Sequence, residues 1–218
     1  MPVRQIKATY SSLTGRFASR KMNRLISWES ALERDFYYLA EYDPSVATIE
    51  EQPITFSSKS RKYTPDALIE LNAPSHIFPR LKVGFNIIEI KYRADLSKNW
   101  HKYRPKLKLA VGECIERKWN FKILTDVEIR SEMLENVKMI EHHMRRESEK
   151  ENELRNLLIE QLSQLGTCDI DSLLNACFRS KSNQLKAIPV LWRLIGDHSI
   201  GVELTRPIGR KSDVWLMT

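Results

Sequence analysis

Phe85-Asn-Ile-Ile-Glu-Ile-Lys91, with Tyr63-Thr-Pro-Asp66 standing a hairpin's length before it, decides how this chain is read. Side chains on a strand alternate faces, so Glu89 and Lys91 point one way while Ile90 points into the core. Ile87 and Ile88 are both apolar and face opposite ways, which is the pattern of a strand covered on both sides. An acid and a lysine on such a strand cost several kcal/mol unless they are paired or hold a metal. Asp66, at the start of a neighbouring strand, can meet them. Two carboxylates then offer the oxygen ligands that Mg²⁺ prefers, with Mn²⁺ able to substitute. Such an ion polarises a phosphate and lowers the pKa of an attacking water, and Lys91 would orient that water or stabilise the charge that builds. The alternative is an internal Glu89–Lys91 ion pair without chemistry.

Working outward, a helix is expected from about Trp28 to Tyr42, with Ser27 as N-cap, Ser30 in the first turn and Leu32, Phe36 and Leu39 at helical spacing. Asp43-Pro44 ends it. A strand near 46–56 is interrupted at Gln52-Pro53 and so reads as an edge or bent strand. Strands at 63–71 and 81–92 flank a proline-containing loop. A helix from about Tyr103 with Pro105 in its first turn, a strand at 119–124 and a helix opening at Asp126 toward Ile140 complete an α-β-β-β-α-β order. This is an α/β sheet, an antiparallel meander with one strand reached by a helical crossover. Residues 141–153 are almost wholly polar and mark the expected boundary, with His142 and His143 read as solvent-facing. Beyond it, three helical patterns and two short strands over the last 65 or so residues suggest a small winged helix, a module that binds DNA or only docks protein.

The 218 residues carry a net charge of +7 and are 42% hydrophobic, enough for a real core. No apolar run approaches the ~20 residues of a membrane span, and the N-terminus lacks the apolar region of a secretory signal. Cys114, Cys168 and Cys177 form no C-x-x-C, as expected of reduced thiols in a cytoplasmic protein. The charge is uneven. Arg4, Lys7, Arg16, Arg20, Lys21 and Arg24 lead the chain with no acid among them. Lys98, Lys102, Arg104, Lys106 and Lys108 follow the Glu-x-Lys strand. Such stretches are often only solvated faces, but two of them around a metal site point to a polyanion such as DNA.

Leu25-Ile-Ser-Trp-Glu-Ser30-Ala-Leu-Glu33-Arg-Asp-Phe36 runs into Glu41-Tyr-Asp-Pro-Ser-Val46 and Glu51-Gln-Pro53. Tyr63-Thr-Pro-Asp66, Ile88-Glu-Ile-Lys91 and Leu124-Thr-Asp126…Ile129-Arg130…Asn136 follow. In this succession the chain resembles the TnsA family, the endonuclease subunits of heteromeric transposases, in a compact form like those of CRISPR-associated transposons. The resemblance covers residues 15 to about 140 and is looser beyond. It implies a basic arm (1–24), a restriction-endonuclease-like catalytic domain (25–145) and a winged-helix-like domain (146–218). It puts the family's first-helix glutamate, in its Ser-x-x-Glu pattern, on Glu33, with Glu29 as rival one turn earlier. Its aspartate falls on Asp66 and its lysine on Lys91. Glu89 stands where some relatives have glutamine, and the Ile90 carbonyl is the implied extra metal ligand. The implied activity is Mg²⁺-dependent cutting of the 5′ strands at the ends of a mobile element. The implied partners are double-stranded DNA, a DDE transposase and an AAA+ ATPase regulator, the last through the C-terminal domain. Arg16, Arg20, Lys21, Arg24, Lys98, Lys102 and Arg104 would contact phosphates. The implied setting is the bacterial cytoplasm, at the nucleoid when active. An autonomous nuclease and a silent bridging module are the other readings.

Overall fold

Residues 15–28, expected to be mostly arm, form a β-hairpin. The computed structural model describes residues 14–144 and 151–217; Arg4, Lys7 and the middle of the polar 141–153 stretch lie outside them. β1 (Gly15–Ser19) pairs antiparallel with β2 (Arg24–Trp28), reversing through Asn23 at φ 48°. Phe17, Ile26 and Trp28 face inward while Arg16 and Leu25 face out. Strands this short, laced with basic residues, leave little periodic signal. Glu41 accepts hydrogen bonds from the backbone N–H groups of Arg20 (2.8 Å) and Lys21 (3.0 Å), which ties the turn to the next helix.

That helix, α1, runs Ala31–Tyr42, and its N-cap is Ser30 rather than Ser27, which lies inside β2. Leu32, Phe36 and Leu39 are buried, as their spacing predicts. β3 (Val46–Glu51) ends where Gln52 takes a left-handed φ of 43° before Pro53. The chain from there to Tyr63 is a separate small hairpin of β4 (Phe56–Ser58) and β5 (Arg61–Tyr63), and the next strand is only β6, Ala67–Leu71. β7 (Gly84–Lys91) returns antiparallel to β6. A short α2 (Arg93–Lys98) precedes α3 (Trp100–Glu116), so Pro105 sits beyond the first turn. β8 (Asn120–Thr125) then pairs parallel to β7.

The sheet order is β3-β6-β7-β8, a meander with β3 at the edge and one crossover strand, as expected of the mixed α/β reading. Ile87 and Ile88 are both fully buried. Ile87 joins Phe56, Tyr63, Leu107, Ala110 and Cys114, so α3 and the small hairpin cover one sheet face. Alternation places Glu89 and Lys91 on that same face and Ile88 and Ile90 on the other. α1 packs against β3 and β7.

The helix expected to run from Asp126 to Ile140 is two. α4 (Asp126–Ile129) is opened by a capping box in which Thr125 and Glu128 bond reciprocally, it ends where Arg130 turns to ψ 79°, and the chain divides into compact units between Arg130 and Ser131. The division therefore comes before α5 (Glu132–Met144), which the 145/146 boundary had put with the first domain. In the second unit α5 packs on α8 (Lys181–Gly196). Between them lie α6 (Asn152–Leu165), β9 (Cys168–Asp169) and α7 (Ile170–Cys177); β10 (Ile200–Val202) and β11 (Asp213–Leu216) follow. The strands form a small sheet in the order β10-β11-β9. Leu158, Leu162, Leu173, Leu174, Leu191 and Ile195 fill its core, and Gly166 ends α6 at φ 73°. The three cysteines are free thiols.

Candidate active site

Asp66 stands in the residue before β6, across from the end of β7. Its carboxylate accepts hydrogen bonds from the Ile90 backbone N–H (2.6 Å) and from the Lys91 ammonium (3.1 Å). Its own carbonyl accepts from the Gln52 N–H (3.0 Å) and the Tyr37 hydroxyl (3.4 Å). The residue is thus held at both ends. Lys91 Nζ also lies 2.9 Å from Glu89 Oε1 and donates to the Ile90 carbonyl at 2.9 Å. One ammonium therefore gathers Asp66, Glu89 and the Ile90 carbonyl, the oxygens that the strand pattern brought together on paper.

Glu33 joins them from the first turn of α1. Its oxygens accept from the Ser30 hydroxyl (2.8 Å) and from the Glu29 N–H (2.8 Å), while its own N–H donates to Ser30 Oγ (3.2 Å). Ser-x-x-Glu is thus also a helix-capping device, a role the pattern carries in any protein. Glu29 precedes the N-cap instead of sitting one turn earlier on the helix, so the two glutamates do not share a helical face. Both sit at the site all the same, for Glu29 lines the cleft.

The electrostatics are those of carboxylates crowded out of water. Burial, and then the Asp66 charge, push Glu33 from its ordinary 4.5 up to about 7. The same two causes push Glu89 up to about 7 against the pull of Lys91. Burial alone would lower the Lys91 ammonium, but Asp66 and Glu89 outweigh it and hold Lys91 above its ordinary value. Glu89 also accepts a short hydrogen bond from the Tyr63 hydroxyl.

These groups open onto a cleft of about 360 Å³ whose walls include Gln52, Lys62, Tyr63, Tyr103 and Lys106. Gln52 is buried, with its side-chain oxygen unpartnered among the described residues. Tyr63, Tyr37 and Gln52 are contributors that the strand pattern did not single out as site residues. For Gln52 the Glu-Gln-Pro break in the strand was a signal. For a tyrosine hydroxyl that reaches a glutamate 26 residues away there was none.

Among the described residues, no three acidic, histidine or cysteine side chains yet converge as a metal cage. The donor chemistry nevertheless suits a hard divalent ion. Asp66, Glu89 and the Ile90 carbonyl are oxygen ligands already grouped around a cation, the Lys91 ammonium, and Glu33 is a buried carboxylate whose ionisation a nearby ion would favour.

The predicted DNA contacts divide. Lys21 is turned inward to the carbonyls of Asp43 and Val46, and Arg24 pairs with Glu51 at 2.7 Å and reaches the Ile49 carbonyl at 3.2 Å. Both pin the hairpin to the domain. Arg16, Arg20, Lys98, Lys102 and Arg104 are exposed. Two of the motif residues also have structural tasks. Arg130 pairs with buried Asp35 at 3.0 Å, and Asn136 holds the backbone of Leu204, Arg206 and Ile208.

Residues 43–126 match the family model of the TnsA-like endonuclease N-terminal domain, and residues 128–204 match that of the TnsA endonuclease C-terminal domain. The chain belongs to the TnsA family. Asp66, Glu89 and Lys91 fall within the N-terminal match, whereas Glu33 precedes it and reaches the site by the fold alone. Membership makes the chain a transposition-associated DNA endonuclease. The change from the N-terminal to the C-terminal match, near residue 127, lies close to the division of the TnsA chain at Arg130. A comparison with curated proteins finds no match. Among the described residues, no helix is long and apolar enough to cross a membrane.

Proposed function

We propose that this TnsA-family chain hydrolyses the 5′ strands at transposon ends with Mg²⁺ or Mn²⁺, in a restriction-endonuclease-like domain, beside a DDE transposase that cuts and joins the 3′ ends. The observation that carries this reading is the grouping of Asp66, Glu89 and the Ile90 carbonyl around Lys91 at the floor of an open cleft. Asp66, Glu89 and the Ile90 carbonyl would hold the ion, with Glu33 as the further carboxylate. Bound there, the ion would polarise the scissile phosphate and lower the pKa of the attacking water.

The rest is done by the chain. Lys91, held above its ordinary pKa, stays protonated at neutral pH, so it acts as a charged donor and not as a general base. It neutralises the two carboxylates between which it sits, and a cation of higher charge would release the ammonium toward a phosphate oxygen. Tyr63 fixes the free oxygen of Glu89, and Gln52 and Tyr37 fix the Asp66 backbone, so the acids keep their places when the substrate enters. The second unit, whose order α6-β9-α7-α8-β10-β11 supports a winged-helix reading, would dock an AAA+ regulator.

The test is strand-mapped cleavage of a donor plasmid carrying the element's ends, with Mg²⁺, with and without the transposase. Cuts at the 5′ ends that require the partner and vanish in Asp66→Ala are expected. Cutting by the lone protein would instead make it an autonomous nuclease. An Asp66→Ala protein that supports normal 5′ cutting would reduce the chain to a bridging module.

A further inference from the structure

Most of the arginines that could be mistaken for DNA contacts in the first unit are engaged: Arg24 with Glu51, Arg80 and Arg93 with Glu128, Arg130 with Asp35. One group is not. The side chains of Arg61, Lys62, Arg104, Lys106 and Lys108 make no ion pair or hydrogen bond among the described residues. They come from two elements that pack together, the β4–β5 hairpin and α3.

The packing that brings them together is apolar and firm. Phe56 and Tyr63, paired across the hairpin, are buried against Leu107, Ala110 and Cys114 of α3, and Thr55 and Thr64 close the hairpin's root with a 2.7 Å hydroxyl contact. Ser58 and Arg61, also paired, lie two residues along from Phe56 and Tyr63 and therefore on the same face. They meet Arg104, Pro105, Lys108 and Leu109 around an open hollow of about 510 Å³. Its walls carry three cations and no acid. Lys62, one residue on, faces the opposite way and lines the catalytic cleft together with Lys106. The hairpin is thus a ridge with fixed positive charge on both flanks, one flank opening on the cleft.

Such a ridge answers an electrostatic need. The cleft walls carry Glu29, Asp66 and Glu89, with Glu33 near enough to feel the Asp66 charge, and Lys62 and Lys106 join Lys91 there to supply the positive charge that a phosphodiester chain requires beside those acids. We propose that the β4–β5 hairpin and the adjoining face of α3 form a seat for the DNA backbone, with Arg61, Arg104 and Lys108 holding phosphates in the hollow and Lys62 and Lys106 passing the strand to the cleft. The ligand is the sugar-phosphate backbone, since the lining offers three cations and one hydroxyl with no acid beside them. The seat goes beyond the nuclease reading by naming the path of its substrate, and it rests on that reading only for the direction in which the strand runs.

The test is equilibrium DNA binding by the full chain over a range of salt concentrations, comparing wild type with the triple variant Arg61→Ala, Arg104→Ala, Lys108→Ala. Each lost phosphate contact lowers the slope of log affinity against log salt by about 0.9, so the triple variant should lose between about 2 and 3 in slope. Because these side chains are exposed or lie at the rim, the variant should keep its melting temperature. Arg61→Glu, which leaves α3 untouched, should weaken binding at low salt by about ten-fold or more. An unchanged slope, or wild-type protein that binds no DNA at low salt, overturns the seat. So does a triple variant that binds DNA normally but no longer associates with the transposase, which would make the surface a protein-docking face. Binding does not require cleavage, so a lost slope with no cutting by wild type would keep the seat and count against the nuclease reading alone.

Discussion

A glutamate only 9% exposed, whose pKa burial and Asp66 push to about 7, costs the fold free energy whenever it ionises, and Glu33 is such a residue. Between its ordinary 4.5 and about 7 the folded chain holds a proton that the unfolded chain has released, so stability falls as pH rises through that window. The loss is at most about 3 kcal/mol for a shift of this size. Glu33→Gln removes the charge while leaving an oxygen to accept from Ser30 or the Glu29 N–H. In a metal chelator at pH 8 the variant should therefore melt above wild type, with the gap closing toward pH 5, and it should not cut DNA. Thermal melts across that range check it. A gap that stays constant with pH would mean that Glu33 is ionised and well solvated in the fold. Glu89, pushed to about 7 in the same way, adds to the same decline. The acids of this site are held against their own stability, as is common where a site is built for a ligand.

Elements carry a different kind of information, and the β1–β2 hairpin shows it. Gly15 lies so close to Trp28 that a Cβ there would come within 2.3 Å of the indole ring. Gly15→Ala should force Trp28 from its place and destabilise the chain by about 2 kcal/mol, read from the denaturant midpoint. A change below about 0.5 kcal/mol would show that the ring moves aside freely. Nothing in Gly-Arg-Phe-Ala-Ser announced this packing, because five-residue strands bearing arginine and serine look like a polar arm. β7 was legible for the opposite reason. Its consecutive isoleucines on both faces marked a covered strand, and an acid and a lysine on such a strand had to be paired or hold a metal. The shift of the helix start from Ser27 to Ser30 is also physical. Both serines could cap, and β2, by pairing with β1, claims the first of them. Likewise the run from Asp126 toward Ile140 has helical spacing throughout, yet the helix that the Thr125–Glu128 capping box opens stops at Ile129, where Arg130 leaves helical geometry at ψ 79°. Asp66, Glu89 and Lys91 could be read because strand alternation is a local rule. Tyr63, Tyr37 and the internal ties of Lys21 and Arg24 could not, because each is set by the tertiary fold.

On the scale of the whole molecule, each compact unit has its own core, and only the first holds the acidic cleft. Metal binding and core stability should therefore separate by mutation. A ligand that binds only the folded state stabilises it by RT ln(1 + [L]/Kd), about 2.7 kcal/mol at one hundred times Kd. Mg²⁺ should raise the melting temperature of the wild-type chain, and Asp66→Ala should abolish most of that rise, because Asp66 is a proposed ligand that also anchors the Ile90 N–H and Lys91. Leu191→Ala, which empties a fully buried position in the second unit, should lower stability by about 3 kcal/mol while leaving the Mg²⁺-induced rise intact. Calorimetry of the three proteins with Mg²⁺ and with chelator makes the comparison. A rise that survives in Asp66→Ala would place the ion elsewhere on this acidic and basic surface, and a rise lost in Leu191→Ala would mean that the second unit's core supports the metal site. The additivity is the informative quantity, since cavity and ligand terms from residues that share no partner should sum to within about half a kcal/mol.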